Sequence, residues 1–154
     1  MRTLRTRWPI LAMTVVSLAA TVPAQAQVTG HKIYAKGEGA FTSPTTTESE
    51  IIGGGILHGT TTAELVITGT DPTTGALTFM GTLVLTDEHG TLTLGIFDGL
   101  YDPLTGEFSN DSVVTSGTDR FAGATGELFF HGFVFPDGTF IDDAIVGEIC
   151  VDLP

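Results

Sequence analysis

The sequence predicts an all-β domain, and three observations carry that reading. Apolar residues alternate with period two, as on a half-buried strand, and no stretch shows the period of a helix. Glycine and threonine punctuate the chain throughout. Two connections, "DPTTG" at Asp71 and "DPLTG" at Asp102, are near copies of one another. In each, proline presets the first turn torsion, aspartate can bond its own backbone and glycine supplies positive φ. About eight strands joined mostly by tight turns follow from this spacing, the pattern of a barrel or a sandwich.

The first segment stands apart from the fold. Arg2, Arg5 and Arg7 precede an apolar run from Ile10 to Ala20, then Pro23 and the small-residue triplet Ala24-Gln25-Ala26. This is the layout of a secretory signal peptide cleaved after Ala26, and the run is short for a bilayer span. The expected organisation is therefore a signal peptide over 1–26 and one β domain over 27–154, secreted or periplasmic. Three of the six Lys and Arg lie in the leader, while all 18 Asp and Glu lie beyond it. Residues 27–154 thus carry three cations against 18 acids, a formal charge of −15. Such a surface repels nucleic acid and anionic lipid.

The first strand, "HKIYAKGEGAF", offers two faces. Ile33, Ala35, Gly37, Gly39 and Phe41 make the more apolar one and are expected inside. The opposite choice would give the barrel a polar floor of Tyr34, Lys36 and Glu38. "TSPTTTESE", from Thr42 to Glu50, is polar and holds a proline, so a mobile loop near one mouth is expected there. "TTAELVITG" aligns Ala63, Leu65 and Ile67. "ALTFMGTLVLT" aligns Leu77, Phe79, Leu83 and Leu85, and "TLTLGIF" aligns Leu92, Leu94 and Ile96 with threonines outward. Threonine suits the solvent side of a strand. "DEHG" at Asp87 and "PDG" at Pro136 read as turns. "FIDDAIVGEICVD" aligns Ile141, Ile145, Ile149 and Val151.

"ELFFHGFVF" is apolar on both faces. Phe129, Phe133 and Phe135 share one face with His131; Leu128, Phe130 and Val134 share the other. One side belongs to a barrel interior and the other needs a cover, a loop or a neighbouring subunit. A homo-oligomer is expected on this ground.

The glycine-rich segment "GTDRFAGATGEL" precedes that strand. Gly117 is expected to permit a positive φ. Phe121 plugs one end of the core, and Gly123 and Gly126 remove side chains where the chain crosses a neighbour. Arg120 beside Asp119 is expected to be a solvated or locally paired charge; the alternative is that it reaches into the mouth and holds an anion.

Read with its spacing, the segment is Gly117-Thr118-x-x-Phe121-x-x-Ala124-x-Gly126. It resembles the Gly-Thr-Gly-x-Phe-x-x-Ala-x-Gly segment of plant dirigent proteins. It is also similar to the Gly-Ser-Gly-x-Phe-x-Gly-x-x-Gly segment of allene oxide cyclases, which Gly117, Phe121, Gly123 and Gly126 match. Asp119 departs from the third-position glycine of both. Together with the leader, the resemblance is to an exported bacterial member of that superfamily. It implies an eight-stranded antiparallel β-barrel, assembled as a trimer, with a cavity. Those families cyclise a fatty-acid epoxide or steer radical coupling. Their catalytic residues match no motif here, so none is carried over.

Weighed singly, the chemistry-bearing residues are sparse. His31, His58, His89 and His131 show no metal-ligand spacing, and no loop has the alternating ligands of a calcium site. No metal and no cofactor are expected. Cys150 cannot form an intrachain disulfide and reads as a small buried residue. No nucleophile elbow or phosphate loop occurs. His131, Phe129 and Phe133, Tyr34 and Glu38, and Arg120 are the candidate ligand-binding residues. The expected function is a secreted barrel that binds a small apolar or amphipathic molecule, with guided cyclisation or coupling as what the resemblance implies. The rival is a non-catalytic structural protein whose ten phenylalanines fill the barrel.

Overall fold

The computed structural model describes residues 29–152; the expected leader and cleavage point lie outside them. Eight strands follow one another as an antiparallel meander: β1 (Thr29–Ser43), β2 (Thr46–Gly54), β3 (Leu57–Thr70), β4 (Leu77–Asp87), β5 (Gly90–Tyr101), β6 (Glu107–Gly117), β7 (Thr125–Val134) and β8 (Thr139–Val151). Each pairs with the next, and β8 pairs with β1, which closes the barrel. Closure leaves no unpaired edge to aggregate. Among the described residues no helix is long and apolar enough to cross a membrane.

The turns form as their chemistry dictates. Asp71 Oδ1 accepts the N–H groups of Thr73 (2.7 Å) and Thr74 (2.9 Å), and Asp102 Oδ1 accepts that of Leu104 (2.8 Å). In both copies the glycine N–H returns to the aspartate carbonyl at 2.8 Å. Gly75 and Gly106 sit at φ 76° and 78°. The polar stretch expected to be a mobile loop behaves otherwise. β1 runs to Ser43 and β2 begins at Thr46, so only Pro44 and Thr45 form the turn. Ser43 Oγ bonds Thr46 Oγ1 (3.0 Å) and accepts from the Thr45 N–H (3.3 Å), bonds that local polarity supplies and a hydropathy reading overlooks.

A meander alternates its ends. One end carries the β1–β2, β3–β4, β5–β6 and β7–β8 hairpins and is termed the mouth. The base carries the other three connections. The lower half of the interior is solid. Ile33, Leu57, Leu92, Leu94, Ile145 and Ile149 are at most 1 % exposed and form one cluster with Phe121. Each such burial contributes about 1.5–3 kcal/mol. A single 3₁₀ turn, Asp119–Phe121, interrupts the β6–β7 connection and drops the Phe121 ring, fully buried, into the base.

The glycines around that ring divide the work differently from expectation. Gly117 does not adopt positive φ; a Cβ there would lie 2.2 Å from the Phe121 carbonyl oxygen, so it permits a close approach. Gly123 faces open space, and its φ of 74° is the reason for its presence. Gly126 makes the expected close crossing, against the Glu148 carbonyl.

Strand β8 also departs from the expected face. Ile145, Ile149 and Val151 point inward, but Ile141 does not. His131 opposes Ala144 while Gly132 opposes Asp142, so Asp143 is an extra residue, a β-bulge. The same extra residue shows against β1, where Ala35 opposes Ile145 and Gly37 opposes Asp142. A one-residue insertion flips the side-chain parity beyond it. Phe140 and Asp142 therefore face the interior.

A half-empty barrel with one buried carboxyl

Above the solid base the barrel holds a cavity of about 250 Å³. Its walls are mostly apolar: Phe41, Leu65, Phe79, Ile96, Phe108 and Phe140 contribute. Phe140 meets Phe41 and Phe108 edge-on, each at 6.0 Å between ring centres. The cavity opens at the mouth, where the lining residues Pro44 and Ile67 are exposed. Thr47, Ser49, Thr61 and Asn110 add polar atoms to the wall. Asn110 Oδ1 accepts from the buried Ser112 hydroxyl at 2.9 Å.

Asp142 is the charged member. It is 6 % exposed and lines the cavity, and its carboxyl has no hydrogen-bond or ion-pair partner among the described residues. Burial, and secondarily the negative charge of neighbouring Asp143, push its carboxyl up to about 7. Glycines flank it on both sides: Gly37 on β1 and Gly132 on β7 are its pairing partners. A Cβ at Gly37 would lie 2.6 Å from Asp142 Oδ2, so the bare backbone there makes room for the carboxyl. Tyr101 is the other titratable side chain in the lining, and no lysine, arginine or histidine reaches it.

The candidate residues from the sequence lie elsewhere. On β1 the apolar face is inside, as expected by default, so Tyr34 (74 % exposed) and Glu38 stand on the outer wall. His131, Phe129 and Phe133 are also outside, since β7 turns Leu128, Phe130 and Val134 inward. None of these five lines the cavity.

His131 gains partners that its own strand does not supply. Nδ1 lies 2.7 Å from Asp143 Oδ1 and Nε2 lies 2.9 Å from Glu107 Oε1. The carboxylates of Asp143 first, then Glu107, raise its pKa by bonding the charged imidazole. The bulge residue thus ties the outer wall while Asp142 faces in. Register places Tyr34 opposite Val146, Val146 opposite Phe129, and Asp111 between Phe129 and Phe97. Phe129 and Tyr34 consequently belong to one outer row that is apolar except for Asp111.

Arg120 is at the base, not the mouth, and its partner is not Asp119. One guanidinium nitrogen donates to Asp87 Oδ2 and, at 2.8 Å, to the Ile56 carbonyl. The side chains of Arg120 and Asp87 are 17 % and 3 % exposed. The guanidinium also lies 4.6 Å from the centre of the Phe121 ring. It ties all three connections of the base together and cannot reach the cavity mouth.

Asp142, Asn110, Phe108 and Phe140 were missed in sequence, while Phe41 and Phe79 lie on the faces that alternation aligns. The visible signal was the Asp142-Asp143 pair inside an otherwise alternating strand, where strict alternation would have put one acid inside. Among the described residues no group of three or more His, Cys, Asp or Glu could hold a metal ion. No family model and no curated protein matches the chain.

Proposed function

We propose that the protein is a binding barrel that takes a small apolar or amphipathic molecule into the upper half of its interior. The observation that carries this is the cavity itself. Small-molecule sites are concave and mostly apolar with a few placed polar groups, typically of roughly 300–1,000 Å³. A cavity of about 250 Å³ with an apolar wall and one buried carboxyl suits a compact ligand. A filled barrel would use its phenylalanines to close this space. Here Phe121 fills the base, while Phe97, Phe129, Phe133 and Phe135 are spent on the outer wall or the hairpin. The likeness to allene oxide cyclases and dirigent proteins rests on residues 117–126 and agrees with the strand count. A carboxyl titrating near neutrality can exchange a proton with a bound molecule, which is what guided isomerisation would use. Export is supported by the leader pattern of residues 1–26. A homo-oligomer is supported by the outer row of Phe97, Phe129, Val146 and Tyr34, three of which are large exposed side chains.

Thermal unfolding against rising concentrations of small alcohols, phenols and amines tests the binding reading. A ligand that enters the cavity raises the midpoint with concentration, following mass action. Leu65→Trp, which projects bulk into the cavity, should abolish that rise. A midpoint indifferent to every compound would overturn the binding reading.

A further inference from the structure

The binding reading leaves the ligand's polar end open, and the wall chemistry restricts it. Asp142 is more than nine-tenths buried, its carboxyl has no hydrogen-bonding partner among the described residues, and it faces the cavity. A buried carboxylate left unpaired is costly. Two glycines and a bulge nevertheless place it there. A ligand group that pairs with it would relieve that cost. We propose that the cavity binds a small apolar amine as its ammonium ion, with Asp142 as the counter-ion.

Four further observations favour an amine over an acid or a neutral head. The lining contains no cation, so a carboxylate or phosphate would enter with nothing to neutralise it. The charge that acts on Asp142 is that of Asp143, of the same sign, and residues 27–154 hold 18 acids against three cations. The field therefore attracts cations to the mouth and repels anions. An ammonium has donors to give, and the Thr47, Ser49 and Thr61 hydroxyls in the wall can accept them. The aromatic rings at the mouth suit a cation in transit and an apolar body at rest.

The inference rests on the binding reading, and one experiment separates their failures. Hexylamine, 1-hexanol and hexanoate share a chain and differ in the head. Each is titrated calorimetrically at pH 8 into the full chain, into Asp142→Asn and into Asp143→Asn. Hexylamine should bind at least tenfold tighter than hexanol, and hexanoate should bind more weakly than either. Asp142→Asn should erase the amine's advantage and leave hexanol within about twofold. Asp143→Asn, on the outer wall, should keep the amine preference, which distinguishes a counter-ion in the cavity from adsorption of cations on an acidic surface. Hexanol binding in Asp142→Asn also reports that the variant is folded. Equal affinity for amine and alcohol, or an amine affinity unchanged in Asp142→Asn, overturns the amine proposal and leaves the cavity reading standing. Binding of none of the three overturns both.

Discussion

Arg120 and Asp87 are 33 residues apart and meet in a nearly water-free base beside Phe121. Removing one member of such a pair strands the other. Arg120→Ala should therefore cost roughly 3 kcal/mol, near the low end for a broken buried pair because the guanidinium keeps some exposure. Phe121→Ala should cost about 3–5 kcal/mol through the cavity left under the barrel. Urea midpoints of the two variants check both values, and an Arg120→Ala midpoint equal to wild type would return this arginine to the role of a surface charge. Asp142 adds a dependence on pH. Its folded pKa of about 7 lies above its ordinary value of 3.8, so the folded state holds the proton more tightly than the unfolded chain. The contribution of Asp142 to stability should be full below pH 3.8 and be lost as pH rises to about 7, by about 4 kcal/mol on the scale of 1.36 kcal/mol per pH unit. Asp143, adjacent on the outer wall, adds to this upward push, and Tyr101 is the other titratable group in the cavity lining. Lys36, Glu38 and His131, beside its pairing partners Gly37 and Gly132, face outward. Asp142→Asn should flatten that window. His131, also raised, loses its contribution above pH 6.5, and His131→Gln should remove that later decline. Chemical denaturation at pH 4, 5.5, 7 and 8 separates the two.

At the scale of the element, the β6–β7 connection and the bulge in β8 do opposite things with one residue. Gly123 sets the return of the chain from the 3₁₀ turn into β7 by a left-handed backbone with open space around it. Gly123→Ala should therefore cost roughly 1–2 kcal/mol from conformation alone, and Gly123→Asn less, since asparagine tolerates that region. A clash would rank them the other way, because asparagine is larger; the pair of unfolding midpoints decides. The Asp143 bulge changes which side of the sheet each residue meets. Period two identified the inward faces of β1, β4 and β5 from sequence, because those faces depend only on local alternation. It failed on β8, where Ile141 shares the parity of Ile145 in sequence but not in the barrel. A bulge is fixed by what the two neighbouring strands present, here Gly37 and Gly132, and alternation within β8 carries no record of them.

For the whole molecule, closure and the outer wall matter most. Joining β8 to β1 removes both sheet edges, so association must use side chains instead of strand addition. The row from Phe97 past Asp111 through Phe129 and Val146 to Tyr34 is one apolar surface available for it. Light scattering at micromolar concentration should give a mass above that of one chain, and Phe129→Glu should return it to one chain that still unfolds cooperatively in urea, since the site is on the outer wall. A wild-type mass of one chain removes the oligomer.

The sequence by itself determined what neighbours along the chain can settle. The strand number, the paired Asp-Pro turns and the plug at Phe121 all follow from spacings of a few residues, where propensity and turn chemistry act directly. Partnerships across the barrel were decided only by the tertiary structure. His131 found Glu107 and Asp143 on adjacent strands, Arg120 found Asp87 across the base, and Asp142 was turned inward by the bulge at Asp143. The physical reason is that each depends on register between segments distant in sequence, and a shift of a single residue exchanges the inside of the wall for the outside.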